Sequence, residues 1–490
     1  MKILLFALNG SYSHTSLAIR CLRRPLEREG FEVQLLERNL RDRTSHILHD
    51  LVAAKADVVS FSAYIWNIRP MLELARDLKS LCPHCHIVFG GPEVSYGLER
   101  FECDEYRDID TLICGPGEKL LTALCCDLRD GKPIPRILDA TGETVGTPEE
   151  GILYREHDFP DGSMLYYESS RGCPFSCAYC LSSATHGVSA KSVSQTLTEL
   201  LEFEVLPERM KIIKFVDRTF NFSVERANQI WEGLLSDAYT RHYHFEVCAS
   251  LLNEESFEIL RRFPKGKIQL EFGLQSTHGE TLRAVSRHID PQKTLENVRR
   301  IYEMGNIHVH LDLIAGLPYE SYARFAQSFD EAYPCCDLLQ LGFLKLLYGT
   351  ELRRHAEEYG YRYMHEAPYT VLQTNWITYE ELSRLHAISE ILERYRESGK
   401  FDRCLETVLD GSRSPFAFYE GLSDHIALHD GRHIQKISQV DAYRLLYEYV
   451  GGWMNETQLA RFCDAMHDDF ASSEVRKVPA FMKKEEKAGK

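Results

Sequence analysis

Arg171-Gly172-Cys173-Pro174-Phe175-Ser176-Cys177-Ala178-Tyr179-Cys180 sets three cysteines in a C-x3-C-x2-C spacing, with an aromatic just before the last. Thiolates this close, in a loop that also contains Gly and Pro, can curl around one ion or cluster. A structural zinc, or an iron–sulfur cluster held only for electron transfer, takes four protein ligands. Three leave one metal position open to something that is not protein, and that gap marks the loop as a candidate for catalysis. A zinc loop and three unrelated core cysteines are the alternatives that the residues leave.

The surrounding chain bounds what the loop can belong to. At 490 residues, 44% of them hydrophobic, it is too long for one ordinary core and predicts two or three domains. With 57 basic against 73 acidic residues the net charge is −16, which disfavours a broad electrostatic grip on nucleic acid or an anionic membrane. No apolar run is long enough to span a bilayer, and the opening Met1 to Leu8 is too short for a signal peptide and reads as a strand. The expectation is a cytoplasmic protein, in which fifteen cysteines are not a disulfide framework.

Upstream of the loop, residues 1–130 alternate short apolar runs with helical patterns. Strands are predicted at Lys2–Leu8, Glu32–Leu36, Val58–Ser62, Ile87–Phe89 and Thr111–Cys114, giving an open, doubly wound parallel sheet. Ligands of such sheets sit beyond the carboxyl ends of the strands. Small, polar or glycine residues gather there: Asn9 and Ser13 after the first strand, Ser60 and Ser62 on the third, Gly90, Gly91, Pro92 and Glu93 after the fourth, Gly115, Gly117 and Glu118 after the fifth. Each has a bland reading as turn chemistry; together on one rim they suit a large flat ligand. A G-x-G-x-x-G dinucleotide fingerprint is absent from the first turn. Residues 131–160, rich in Gly and Pro, read as a linker or small irregular hairpin.

Downstream, residues 161–350 repeat the strand-then-helix pattern six times, at Met164–Ser169, Lys211–Val216, Phe245–Ala249, Lys267–Phe272, His308–Ile314 and Leu338–Leu344, as a partial (β/α)6 TIM-like barrel would. Residues 351–471 predict an α-helical C-terminal domain, with helices over Tyr379–Tyr395, Asp441–Val450 and Glu456–His467, and 472–490 a charged tail. By position alone the helical domain is expected to close the barrel mouth. Cys82 and Cys85 read as structural, with redox sensitivity as the alternative, and the adjacent pairs Cys125-Cys126 and Cys335-Cys336 as including core positions; Cys335 or Cys336, and Cys248, have as their alternative a thiol facing the active site. Tyr64, Trp66 and Trp376 read as packing aromatics, with the lining of a pocket as their alternative.

The cysteine spacing, with Tyr179 before Cys180, resembles the signature of the radical S-adenosylmethionine (SAM) superfamily. The resemblance implies that Cys173, Cys177 and Cys180 hold three irons of a [4Fe–4S] cluster whose fourth iron chelates SAM, and that reduction releases a 5′-deoxyadenosyl radical. It also implies SAM contacts by Tyr179 in the loop and at strand ends: Asp217 with the ammonium, Arg218 with the carboxylate, Glu271, Gln275 and Ser276 in Glu271-Phe272-Gly273-Leu274-Gln275-Ser276 with the ribose, and Ile314 and Gly316 in Asp312-Leu313-Ile314-Ala315-Gly316-Leu317-Pro318 around the adenine. The N-terminal region resembles the cobalamin-binding domain of a large branch of that superfamily. The branch's cobalt-ligating D-x-H-x-x-G departs here to Tyr12-Ser13-His14-Thr15-Ser16-Leu17, so His14 is a candidate cobalt ligand or helix cap without the usual Asp partner. The three-part layout resembles a subgroup of the branch with a helical C-terminal domain. The activity that the resemblance implies is methyl transfer to an unactivated carbon, with SAM used twice, as radical source and as donor to cobalamin; no substrate follows from it, and the acidic charge favours a small molecule or peptide over tRNA. A flavodoxin- or ferredoxin-like reductant is the implied electron donor. Radical rearrangement or ring formation without methyl transfer, and a cobalamin-responsive sensor, are the alternatives.

Overall fold

The first strand, Lys2–Asn9, is apolar along nearly its whole length, and a strand with no polar face must be covered on both sides. The computed structural model does this: Leu4, Phe6 and Leu8 join a core with Phe61 and Phe89, while Ile3, Leu5 and Ala7 join another with Ile19, Leu26 and Leu124. The structure describes all residues except 103–105, 152, 156–163, 186, 208–209, 410–412, 430–433 and 472–490, so the charged tail lies outside the described residues.

The N-terminal sheet is parallel throughout, in the spatial order Glu32–Asn39, Lys2–Asn9, Val58–Ser62, His86–Gly90, Thr111–Cys114, Ile137–Asp139. Strand order reverses between the first and third strands, which opens a crevice at their carboxyl ends. The sixth strand corrects the reading of 131–160 as linker. Ile137–Asp139 is only three residues long and its side chains are mostly exposed, so it carries no apolar pattern to read; backbone pairing to Leu112–Cys114 holds it.

The second sheet runs in chain order, all parallel: Leu165–Tyr167, Ile212–Phe215, His242–Val247, Ile268–Gln275, His308–Ala315, Leu338–Phe343. This is the expected six-stranded partial barrel. Its alternation places the site: Ile268, Leu270, Phe272 and Leu274 are buried against the helices, and Gln269, Glu271, Gly273 and Gln275 face the half-buried interior. On the next strand Val309, Leu311, Leu313 and Ala315 point outward and His308, His310, Asp312 and Ile314 inward, so the lumen is polar.

The C-terminal helices Tyr379–Leu392, Asp402–Val408, Pro415–His429, Gln439–Gly451 and Glu456–Ala471 share one continuous core with the barrel. They clad the barrel's flank: Phe416 packs on Phe329 at 5.5 Å, and the Tyr333 and Tyr419 hydroxyls meet at 2.8 Å. The part of the region that reaches the mouth is the irregular stretch before them, where the Tyr361 hydroxyl donates to the Gly316 carbonyl at 3.0 Å and the Leu352 amide to the Ala178 carbonyl at 2.9 Å. Helical periodicity identified three of these five helices, not Asp402–Val408 or Pro415–His429, and carries no information about which barrel surface they cover.

Candidate functional site

The cysteine loop leaves the first barrel strand through a short antiparallel ribbon, Ser170–Gly172 against Val188–Ala190. Gly172 sits at φ +95° facing the Gly187 carbonyl, and a side chain there would collide with it, so the turn into Cys173 needs glycine. Beyond it the Ala178 amide donates to the Val285 carbonyl at 2.9 Å. Cys177 is buried, with Cys173 and Cys180 half-buried beside it. Burial pushes the Cys173 thiol up, while hydrogen bonds from Thr219 and the Phe175 backbone work the other way. Among the described residues, only His244, Glu271 and His310 bring three ligand atoms within 4.8 Å of one another. Three thiols on one loop are the donor set that a cluster takes.

Arg287, which sequence spacing did not single out, joins this group. Its Nη1 donates to Cys177 Sγ at 3.5 Å and its Nη2 to the Gly273 carbonyl, while its Nε is buried without a partner. Burial opposes the guanidinium charge, yet Tyr179 and Cys177 push its pKa up. A cation donating to a thiolate is one lever on a cluster's potential.

The strand ends divide into residues that stay open and residues already committed. Asp217 is committed: fully buried, it accepts from the Ser169 amide at 2.8 Å, Ser169 Oγ at 2.5 Å and Ser170 Oγ at 2.7 Å. Burial raises its pKa and these hydrogen bonds oppose the rise. It holds the turn leading into the cysteine loop and has no free face for a SAM ammonium. Ser276 is likewise bound to Glu320 at 2.6 Å, and Glu271 is held by Lys214 at 3.1 Å and His244 at 2.7 Å. In the structure all three are held by the protein's own groups.

Gln275 is placed differently. Pairing to the next strand slips between Gly273 and Gln275, a bulge that re-aims the side chain; φ is +71° and Oε1 is buried without a partner. Asp312 Oδ1 is also buried and unpartnered, and burial raises its carboxyl well above the usual range. Arg218 is exposed. Glu246, another lumen carboxyl, is pushed up to about 7 by burial and then by Glu271. Ile314 is half-buried on the lumen side, and Gly316, at φ +93°, turns the strand toward Leu344 and Val371.

The rim of the first sheet faces this mouth. Arg171, two residues before Cys173, pairs with Glu118 of the N-terminal domain at 2.9 Å and with Glu168 at 2.7 Å. Tyr64, at the end of the third strand, is close enough to Arg218 that the guanidinium lowers its phenol pKa against the larger effect of burial. Glu93 ties the rim to the mouth segment through Arg100 at 2.9 Å and the Tyr369 hydroxyl at 2.6 Å. Asn9 is spent on the His14 carbonyl and Glu37, and the Ser13 carbonyl accepts from the Met164 amide at 2.7 Å. Gly91, at φ +110° beside the Ala63 carbonyl, and Gly115, at φ +83° beside Ala140, serve close approach to the protein's own backbone; Gly117 stands against Leu22. Pro92 opens the short helix Pro92–Tyr96.

Ser60, Ser62 and Gly90 stand on the paired third and fourth strands, near the Tyr64–Trp66 stack, whose rings lie 4.4 Å apart with Trp66 49% exposed. His14 lies across the domain boundary, its Nδ1 hydrogen-bonded to the Tyr166 hydroxyl and its ring stacked on Tyr166 at 5.9 Å. Burial, then Lys214, lowers its pKa. Small residues, an exposed aromatic and an imidazole suit a macrocycle such as cobalamin.

A rim built on one parallel sheet, turned toward a three-cysteine loop on a partial barrel, defines a two-cofactor class. Residues 4–125 match the B12 binding domain, residues 167–332 the radical SAM superfamily, and residues 357–490 a family described as protein of unknown function, DUF4080. The chain thus joins a B12 binding domain to a radical SAM domain, which implies a [4Fe–4S] cluster, SAM and cobalamin as cofactors.

Among characterised relatives it is 26% identical over 299 residues to the cobalamin-dependent radical SAM methyltransferase TokK of Streptomyces tokunonensis, covering 55% of this chain and 44% of that one. To the hopanoid C-3 methylase of Methylococcus capsulatus it is 24% identical, covering 61% and 60%. The chain therefore spans about half the length of these relatives. In fold it is similar to TsrM, a radical S-adenosylmethionine methyltransferase from Kitasatospora setae solved with cobalamin and a [4Fe–4S] cluster bound, at TM-score 0.65 and 16% identity over 87% of this chain and 98% of that one. It is also similar to the cobalamin-dependent S-adenosylmethionine radical enzyme OxsB, at TM-score 0.63 and 13% identity over 96% and 83%. No described helix is long and apolar enough to cross a membrane.

Proposed function

We propose that this protein is a cobalamin-dependent radical SAM methyltransferase acting on an unactivated carbon. The observation that carries the reading is the apposition of rim and mouth, in which Arg171, two residues before Cys173, pairs with Glu118 from one domain and Glu168 from the other. Cys173, Cys177 and Cys180 would hold the cluster, with Arg287 donating to a thiolate. Gln275 and Asp312, with their unpartnered buried oxygens, and exposed Arg218 would hold SAM. Ser60, Ser62, Tyr64 and Trp66 would bed the corrin, and His14 would face cobalt, oriented by the Tyr166 hydroxyl in place of the usual carboxylate.

When bound, these groups supply a hydrogen-abstracting radical and a transferable methyl group. The chain's own share is to orient the reactants and exclude water and oxygen. The Tyr361 and Tyr369 bonds keep the mouth segment in place over the site. The acidic net charge of −16 favours a small molecule or peptide as substrate over nucleic acid. A flavodoxin- or ferredoxin-like protein in the cytoplasm would supply the electron.

The test is an anaerobic incubation of cofactor-loaded protein with SAM and dithionite, and then chromatography of the adenosyl products. Formation of both 5′-deoxyadenosine and S-adenosylhomocysteine supports the methyltransferase. 5′-Deoxyadenosine alone would move the protein to rearrangement or ring formation, and neither product would make it a binding protein.

A further inference from the structure

The barrel lumen holds a second set of donors that the cysteine loop does not use. His244, Glu271 and His310 lie on the third, fourth and fifth strands, with Glu271 and His310 direct register partners. Their ligand atoms all fall within 4.8 Å of one another, and His244 Nε2 stands 2.7 Å from Glu271 Oε2. The strand alternation makes this convergence a property of the fold: Phe245, Leu270, Phe272, Val309 and Leu311 turn outward into the core, so their neighbours must share the lumen. Beside the set, the Gln269 amide hydrogen-bonds a ring nitrogen of His310; with its oxygen turned to that nitrogen's N–H it would leave the other ring nitrogen free for a metal. Two imidazoles and one carboxylate suit a divalent transition metal and leave coordination positions open. Lys214, whose Nζ lies 3.1 Å from the same Glu271 Oε2, now supplies the positive charge. A Lys–Glu pair alone would be complete without either imidazole.

We propose that His244, Glu271 and His310 form a site for a divalent transition-metal ion, separate from the cysteine loop, for which Lys214 is the built-in competitor. The experiment is a titration of Mn2+ into the cluster-loaded full-length protein without SAM, read by electron paramagnetic resonance. Mn2+ avoids the thiols, and its free signal is lost on binding. The wild type binds one Mn2+ per chain, with spin-echo modulation from two imidazole nitrogens. His310→Asn and His244→Gln each lose modulation and weaken binding at least about tenfold, Glu271→Gln abolishes it, and Lys214→Gln tightens it about tenfold. Iron content and melting temperature identify variants that have folded; His244→Gln carries the test where His310→Asn does not fold. Absence of stoichiometric binding in both the wild type and Lys214→Gln would overturn the proposal, as would undiminished binding in the folded histidine variants.

Discussion

A carboxylate that already receives three hydrogen bonds has little left to offer a ligand, and Asp217 is such a group. Asp217→Asn turns an acceptor into a donor against two serine hydroxyls, and should cost about 2–3 kcal/mol of stability by denaturant unfolding, with SAM affinity of the folded protein unchanged. Weaker SAM binding at unchanged stability would return Asp217 to the ammonium. Gln275 is expected to behave in the opposite way: Gln275→Ala, which removes an unpartnered buried amide oxygen, should weaken SAM binding about tenfold with iron content unchanged, as read by equilibrium dialysis and metal analysis. The cysteine loop was legible because its three ligands lie within one local spacing. Asp217 was not, because its partners Ser169 and Ser170 stand 48 and 47 residues away. Arg287 carried no local signal at all; only tertiary folding brings it to Cys177, 110 residues distant.

Elements place these residues, and two of them can be tested through their turns. After the fifth barrel strand, the Glu320 carboxyl receives Ser276 Oγ at 2.6 Å and Ser328 Oγ at 3.0 Å on one oxygen, while the other is buried without a partner. Burial lifts it from 4.5 to about 7, against the serine bonds. Between those pH values the folded protein keeps a proton that the unfolded chain has released, so its contribution to stability falls as pH rises, by at most about 1.4 kcal/mol per unit. The stability difference between wild type and Glu320→Gln should therefore slope with pH from 4.5 to 7 and be flat outside that window; a difference independent of pH would show that Glu320 is ionised in the fold. In the N-terminal sheet, Gly91→Ala places a Cβ 2.5 Å from the Ala63 carbonyl oxygen at φ +110°. It should cost upwards of about 1–2 kcal/mol and lower the melting temperature. The N-terminal sheet was legible at this scale because strands buried on both faces are near-continuous apolar runs, and the barrel sheet because apolar residues recur at every second position. The Ile137–Asp139 strand was not, since an edge strand held by backbone pairing needs no apolar face.

At the scale of the whole molecule the order of domains could be read along the chain, but their contacts could not. Glu118 and Glu93 looked like rim residues awaiting a ligand; in the fold they are half of the contact between the rim and the mouth, paired with Arg171 in one case and with Arg100 and Tyr369 in the other. The helices expected over the mouth clad the barrel's flank, because amphipathic periodicity fixes a buried face without saying what buries it. This joining of rim and mouth is the central claim, since it makes one site of two cofactor-binding surfaces. The direct measurement is the iron and cobalt content, with a visible spectrum, of protein purified anaerobically with iron, sulfide and hydroxocobalamin, for the wild type and for a variant with Cys173, Cys177 and Cys180 all changed to Ala. The predicted result is about four irons and one tightly held cobalt per chain in the wild type, and loss of the iron in the variant. Iron without cobalt would contradict the two-cofactor site, and iron retained by the variant would place the cluster elsewhere.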